Sequence, residues 1–431
     1  MDIRTFCRNV TQAYTNQDKK SICKLILLDD ANPQLQQLQK TLYSMPAETI
    51  RSTAHAEMES APRQLRDFVT NYLLFTIASA LENSAFTEVY ELMSTCFGSF
   101  LSLYQYPDAQ WLTSLLKNLS SSLVEWAVVA DKENPHAKEL KISDAAAKHL
   151  ARAFNIVISD KVPNDLDHSK KWALYYLANL TFRVYFKLKS TRLIPTMLAN
   201  ISKAGVRLSD FPMSQRVTQS YYLGRYHLYQ LDLRRAERHL GFAFRNCAHV
   251  GINDEENEVV HWNSRLILIY LTSCRLCLGR FPPLQLLQVY DLYDYFSPLM
   301  RASKMGDLAL LQDTMDSDLS EWYIKKEIYF LLKEKLTVLC WRSLFRRTSL
   351  VAPQGSNPQQ VRIHLKDVLS VVQNLTRDNS YDVLDLECVI ASLMDQGYIR
   401  GYVHSPTKIL VLSNSNPFPP PYSITVTEEH A

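Results

Sequence analysis

The residues of this sequence whose types and spacing best fit a defined chemistry are the cations of segment 325–347, KKEIYFLLKEKLTVLCWRSLFRR. The segment holds seven lysine or arginine residues against two glutamates. Lys335, Arg342 and Arg346 are spaced by seven and four residues, so a helix would place them on one face. Such a face can contact nucleic-acid phosphates, whatever the base sequence and more weakly as salt rises. A solvated basic face and a face that pairs with an acidic protein partner are the alternatives that this pattern leaves open.

Apolar residues of the same segment recur at helical spacing away from these cations. Leu332, Leu336 and Leu339 fall on one face, which we expect to lie in the core. Trp341 precedes Phe345 by four residues, and aromatic residues are enriched at protein interfaces. We therefore predict a partner interface at Trp341.

Residue patterns that would indicate catalysis or metal binding are weak in this sequence. Cys274 and Cys277 form a single CxxC, and no second pair follows to complete the four ligands of a zinc site. His227 and His239 lie twelve residues apart within a helical segment. P-loop, GxSxG and HExxH motifs are all missing from the sequence. The prediction is a protein without catalytic activity, metal or cofactor.

The composition favours an intracellular helical protein. The 431 residues are 47% hydrophobic and 21% charged, and only ten are glycine. Glycine-rich phosphate loops and tightly turned β architectures need more glycine than this. We expect no membrane segment and no signal peptide, because no apolar run reaches about 18 residues and the N-terminus is polar. The net charge of +3 confines any nucleic-acid binding to local patches.

Apolar residues from Phe68 to Leu350 recur mostly every three or four positions, which predicts a series of short helices. The largest break is 351–360, VAPQGSNPQQ, which has the composition of a linker. We predict four parts of the chain: an N-terminal helical region, 1–165; helical repeats, 166–350; a winged-helix subdomain, 351–413; and a C-terminal tail, 414–431.

One segment, 221–247, carries the small and large residues of a tetratricopeptide-type helix pair. Gly224 and Ala236 are small enough to let two antiparallel helices approach, and we expect Leu240 and Ala243 to face the next pair. A plain helical hairpin is the alternative. Segment 170–198 predicts a second pair, and pairs of this kind bury their apolar faces by stacking into a solenoid.

The sequence that follows the repeats predicts a helix, a short helix, a third helix and a β-hairpin. This is the order of a winged-helix domain. Segments 362–375 and 381–397 have helical apolar spacing, and Gly397 supplies a helix stop. YIRGYV and KILVL flank the turn sequence HSPT. In KILVL, Ile409 and Val411 suit pairing with the sheet edge of a partner.

The third helix of this subdomain has the wrong charge for entering a DNA groove. It carries Asp385, Glu387 and Asp395 and has no lysine or arginine. Base-specific readout through it would be electrostatically repulsive, so we expect backbone-directed binding instead. The predicted contacts for nucleic acid or an acidic partner are Lys333, Lys335, Arg342, Arg346, Arg347, Arg362, Lys366, Arg400, His404 and Lys408.

Helical repeats that end in a winged helix resemble the PCI domain of proteasome-lid, COP9 signalosome and initiation-factor subunits. Segments 166–188 and 214–247 and the closing DQGYIRGYVHSPTKILVLSNSNPFPPP are similar to the PCI domain-containing protein 2 family over about residues 165–420. The resemblance implies a mainly α scaffold, with TPR-like helical repeats capped by the winged helix. It implies pairing with a second, Sac-type PCI subunit and with a small acidic DSS-type protein.

The two branches of this family imply different complexes. One is the transcription-export complex TREX-2, which binds RNA or DNA and couples transcription to mRNA export in the nucleus, at nuclear pores. The other is a protein like the twelfth subunit of the COP9 signalosome, in a nuclear mRNA-associated complex with another PCI subunit. A protein-only scaffold without nucleic-acid contact is the remaining alternative.

Overall fold

A computed structural model of the chain describes residues 2–26, 32–43, 45–81, 85–133, 141–161, 166–247, 254–351 and 361–424. The chain divides into two compact units, Met1–Tyr222 and Leu223–Ala431. The fold class is mainly α, as predicted. Within the described ranges, no helix has both the length and the apolar character needed to cross a membrane.

The described residues of the first unit form α-helices, with short 3-10 helices and turns between them. The α-helices are α1 (Ile3–Thr15), α2 (Lys19–Leu25), α3 (Pro33–Leu42), α4 (Ala47–Glu57), α5 (Arg63–Ala80), α6 (Phe86–Tyr104), α7 (Thr113–Glu133), α8 (Lys141–Ile158), α9 (Leu174–Lys187), α10 (Ile194–Lys203) and most of α11 (Met213–Tyr229). Side chains close in the sequence cap the first turns of several of these helices. The Asp18 carboxylate, for example, accepts the backbone N–H groups of Lys20 and Ser21 at the start of α2.

Aromatic residues fill the core of the first unit. The rings of Phe68 on α5 and Phe100 on α6 lie 5.3 Å apart, and both are fully buried. Lys170 is buried among them, and its ammonium group donates to the backbone carbonyls of Tyr104 and Tyr106 at 2.8 and 2.6 Å. Buried charges need such partners. The second predicted helix pair, 170–198, corresponds to α9 and the first part of α10.

The second unit combines helices with one small sheet. Its elements are α12 (Leu233–Cys247), α13 (Asp254–Cys277), α14 (Leu284–Val289), α15 (Tyr293–Met305), α16 (Leu308–Asp316), α17 (Leu319–Lys325), α18 (Tyr329–Val351), β1 (Arg362–His364), α19 (Leu365–Thr376), α20 (Val383–Asp395), β2 (Gly401–His404) and β3 (Ile409–Leu412). The domain boundaries predicted at 165/166 and 350/351 border residues 162–165 and 352–360, which lie outside the described residues.

The tetratricopeptide-like segment forms a close helix pair through Gly224, as its residue types indicate. A Cβ atom at Gly224 on α11 would lie 2.5 Å from Cγ of Leu240 on α12, so only glycine fits. Ala236 and Ala243 are fully buried. Leu240, which was predicted to face the next pair, meets Gly224 within the same pair.

The winged-helix module is the segment from α18 to β3, in the order α18, β1, α19, α20, β2, β3. The three strands are antiparallel in the order β1-β3-β2. A capping box starts α20, where Asp382 accepts the N–H of Asp385 and Asp385 accepts that of Asp382. Gly397, at φ +78°, follows the end of α20, as its predicted role as a helix stop requires.

Two details of this module differ from the sequence prediction. Residues 362–364, predicted as the start of a helix, are strand β1, and α19 begins at Leu365. The short second helix is not present between α19 and α20 in residues 361–424. The helical repeats instead supply the missing helix, because α18 packs against β1 and α20.

Candidate nucleic-acid and partner interface

The buried face of α18 holds the rest of the winged-helix module in place. Trp341 is only 8% exposed, and its ring lies 6.1 Å from the rings of both Phe345 and Tyr381. Tyr381 belongs to the turn before α20. The side chain predicted at a partner interface therefore holds two elements of the same chain together.

Arg342 was predicted on an exposed cationic face, and the structure corrects this placement. It is 8% exposed, and its Nη2 donates to the backbone carbonyls of Phe418 and Pro419 at 2.9 and 2.8 Å. Burial lowers the pKa of Arg342 to about 10, and the neighbouring charge of Arg346 acts in the same direction. The face that was predicted to join Lys335, Arg342 and Arg346 is thus interrupted by a buried arginine.

We call residues 416–424 the C-terminal strap. Its backbone carbonyls accept hydrogen bonds from Arg342 and from a second arginine. Nη2 of Arg234 on α12 donates to the carbonyls of Tyr422 and Ile424, both at 3.1 Å. The guanidinium of Arg280 lies 4.9 Å from the centre of the Tyr422 ring. Because the prolines of the strap have no N–H group, backbone carbonyls are its main hydrogen-bonding groups, and arginines suit them as donors.

The other cations predicted on α18 differ in exposure. Lys333 lies 3.5 Å from the Asp316 carboxylate and donates to the Tyr329 hydroxyl at 3.1 Å. Lys335 is half-buried, whereas Arg346 and Arg347 are exposed at the end of the helix. The part of α18 open to phosphate is therefore its last two turns.

The outer face of the small sheet brings together several of the predicted contacts. The strand register aligns Arg362, Val411 and Tyr402 in one row across the sheet. In antiparallel strands, residues directly opposite each other point to the same side. Arg362 and Tyr402 are exposed, and Tyr402 keeps 56% of its surface open.

The neighbouring row of the same face consists of His364, Ile409 and His404. Both histidines are exposed, and Ile409 is half-buried between them. We call Arg362, His364, Tyr402 and His404, with Ile409 and Val411 between them, the sheet face. It presents one guanidinium, one phenol and two imidazoles around an aliphatic centre.

Ile409 and Val411 were predicted to offer a strand edge to a partner, and this prediction was wrong. β3 is the central strand, hydrogen-bonded to β1 on one side and β2 on the other. The edges of the sheet are β1 and β2. An added strand would have to pair with one of those two.

The acidic helix α20 has a function within the module itself. Glu387 accepts from Lys408 Nζ at 3.0 Å and from Ser405 Oγ at 3.2 Å, so it holds the turn between β2 and β3. Lys408, predicted as a nucleic-acid contact, is thereby engaged in an ion pair. Lys366 on α19 and Arg400 before β2, predicted as further contacts, are exposed.

Sequence reasoning missed Tyr402 and His364 as members of the sheet face. The signal was present, because Arg362 and His364, like Tyr402 and His404, are spaced by two, the period of a strand. It was hidden by the assignment of 362–364 to a helix.

The cysteine pair of the second unit is buried in the helical body, and the histidine pair is half-buried. Cys274 is fully buried and Cys277 nearly so, and Cys274 Sγ donates to the Leu233 carbonyl at 3.0 Å. The rings of His227 and His239 stack at 5.4 Å. Burial lowers the pKa of His239 to about 4, and the nearby charge of His227 adds to this effect. Within the described residues, no cluster of three metal-ligating side chains occurs.

Comparison with known proteins found relatives along nearly the whole chain. It is 32% identical to a PCI domain-containing protein of Schizosaccharomyces pombe, over 97% of this chain and 94% of that protein. It is 30% identical to PCI domain-containing protein 2 of Xenopus laevis, over 79% and 82% of the two chains. The protein of the same name from Danio rerio is 30% identical over 80% and 82%. No protein-family model matches the chain.

Proposed function

The chain belongs to the PCI domain-containing protein 2 family, and from this premise we propose that it is a non-catalytic scaffold subunit of a nuclear mRNA-export complex of the TREX-2 type. In this proposal it pairs with a Sac-type PCI subunit and a small acidic DSS-type protein. The joined subunits present a basic surface to RNA or DNA in the nucleus, close to nuclear pores.

The observation that supports the nucleic-acid part of the proposal is the sheet face. An exposed tyrosine and an exposed arginine stand in one row across the sheet, with two histidines in the next row. Aromatic rings stack on bases of any sequence, and arginine contacts phosphates. Exposed Lys366, Arg400, Arg346 and Arg347 on the same module add positive charge.

The charge of α20 favours single strands over duplex as the ligand. The helix has no lysine or arginine between Val383 and Asp395, and Glu387 is used to hold the turn between β2 and β3. A helix of this charge in a duplex groove would lie among phosphates and be repelled. The sheet face, in contrast, suits splayed bases.

A salt-dependent mobility shift with single-stranded RNA tests this function on the full-length chain bound to its PCI partner. We expect Arg362→Glu with Tyr402→Ala to weaken binding by about tenfold or more, since one stacking and one phosphate contact are lost. Lys19→Glu, an exposed charge reversal on α2, is the control. A complex that ignores RNA at low salt, or a double variant that binds like wild type, contradicts the proposal.

A scaffold of the COP9 signalosome type, without nucleic-acid contact, is the second candidate. It is favoured by the outer edge of β2, which has no strand partner within residues 361–424, and by the pairing of Lys333 and Lys408 with carboxylates. Exposed β edges accept strands from other proteins. Under this alternative, Val403→Pro on β2 would abolish partner binding while RNA binding is absent throughout.

A further inference from the structure

A cleft of about 350 Å³ opens beside the C-terminal strap, and the proposed function does not use it. It lies between α15, α18 and the strap, with the turn after α13 at one end. Its volume is at the lower end of the range of small-ligand sites, roughly 300–1,000 Å³. A single nucleotide or a short charged group fits a space of this size.

The charges that line the cleft all have one sign. Lys304 on α15 and Arg342 and Arg346 on α18 contribute cations, and none of the described lining residues is a carboxylate. Lys304 and Arg346 are exposed, so their side chains can reorient towards a bound ligand. Three cations without a counter-charge favour an anion at this place.

Arg342 supplies a second, independent sign of a ligand. It is 92% buried, and its Nη2 donates two hydrogen bonds to the strap carbonyls. Its Nε has no hydrogen-bond partner among the described residues. A buried N–H group without an acceptor is costly, and a bound anion near it would reduce that cost.

Aromatic side chains complete the lining. Tyr422 on the strap is 47% exposed, and Phe281 is half-buried. The Arg280 guanidinium lies near the ring of Tyr422, and Lys304 Nζ lies 4.7 Å from the ring centre of Phe281. Rings beside cations are the combination by which proteins hold single-stranded nucleic acid, with bases on the rings and phosphates on the cations.

We propose that the strap cleft binds one nucleotide unit of single-stranded RNA, with its phosphate at Lys304, Arg342 and Arg346 and its base against Tyr422. The inference rests on the proposed function and extends it by a second contact region, apart from the sheet face in sequence. An acidic peptide would use the cations but would have no use for the exposed ring. RNA is therefore the ligand that the full lining favours.

The test measures fluorescence anisotropy of a fluorescein-labelled oligouridine of ten nucleotides with the chain bound to its PCI partner at low salt. We expect Lys304→Gln and Tyr422→Leu each to weaken binding by about fivefold or more, because each removes a phosphate or a stacking contact. Tyr422→Phe keeps the ring and should bind within about twofold of wild type. Arg301→Gln is the matched control, since Arg301 is exposed on the same helix but does not line the cleft.

Cross-linking locates the site without relying on variants. An oligouridine that contains 4-thiouridine should cross-link on irradiation to peptides with Tyr422 or Phe281. If Lys304→Gln and Tyr422→Leu bind like wild type while Arg362→Glu weakens binding, the cleft proposal is overturned and the sheet face stands. If the wild-type protein does not bind the oligouridine, both the strap-cleft proposal and the sheet-face proposal are contradicted. If a labelled decaglutamate binds in a way that depends on Lys304 but not Tyr422, the cleft is an acidic-peptide site and the proposal is wrong.

Discussion

Arg342 donates a hydrogen bond of 2.8 Å to the carbonyl oxygen of Pro419, although the two residues lie 77 positions apart in the sequence. A second bond from the same nitrogen reaches Phe418. Together they attach the strap to α18. Arg342, which was predicted on an exposed face, is thus a structural donor to the strap, and its replacement should loosen the strap first.

Replacement of Arg342 by leucine should release the strap. Two carbonyls lose their charged donor, a cost of about 3 kcal/mol, which corresponds to ~100-fold in a local opening equilibrium. Chymotrypsin cleavage after Tyr422 should accelerate accordingly and can be followed by mass spectrometry. Arg347→Leu, at an exposed position on the same helix, should change the cleavage rate little. Equal rates in the two variants would show that Arg342 does not hold the strap.

Replacement of Glu387 by glutamine should strengthen RNA binding. The variant removes the ion pair with Lys408, so a cation becomes available and the salt dependence should steepen by about one phosphate contact. Mobility shifts over a salt series measure both effects. Asp395→Asn on the same helix removes the same charge without releasing a lysine. A slope that changes equally in both variants would assign the effect to net charge alone.

Gly306→Ala should destabilise the second unit severely. Gly306 has φ +73°, and a Cβ there would lie 2.7 Å from Cα of Leu344 on α18. Strain and overlap together should cost about 4 kcal/mol or prevent soluble expression. Gly205 has the same sign of φ but open space around it, so Gly205→Ala should cost only about 1–2 kcal/mol. Thermal unfolding followed by circular dichroism compares the two, and equal melting temperatures would refute the steric argument.

Acidic pH should lower the stability of the folded chain partly through His239. Its pKa is lowered from 6.5 to about 4 in the fold, so the unfolded chain binds more protons between these values. Stability from this group is therefore complete above about pH 6.5 and is lost as the pH falls towards 4. In His239→Gln, the decline in melting temperature over that window should be shallower than in wild type. His55→Gln, at an exposed position, should keep the wild-type decline; identical curves for all three would contradict the assignment.

Local patterns in the sequence were enough to predict a mainly helical chain, the C-terminal hairpin and the close pair at Gly224. Helical spacing, the glycine stop at Gly397 and the turn HSPT all act over a few residues, so a sequence reader can see them. The central position of β3 depends on β1, a strand of three residues that precedes a helix directly. The two-residue spacing of Arg362 and His364 is its only sequence signal, and the helical spacing of the residues that follow hides it.

The burial of Arg342 could not be predicted from any local sequence pattern. Periodicity places Lys335, Arg342 and Arg346 on one side of α18, but it cannot show that the strap returns to cover the middle residue. The same reason explains why the strap cleft was not predicted. Its lining comes from four segments that are separate in the sequence.

The hydrogen bonds of the strap also bear on the order in which the second unit folds. Arg234 bonds to residues 188 and 190 positions away, and Arg342 to residues 76 and 77 positions away. Closing loops of such length is entropically slow compared with forming helices, whose contacts span four residues. The strap should therefore dock last, after α12 and α18 have formed, and a refolding chain should pass through a stage with complete helix content and an undocked C-terminal segment.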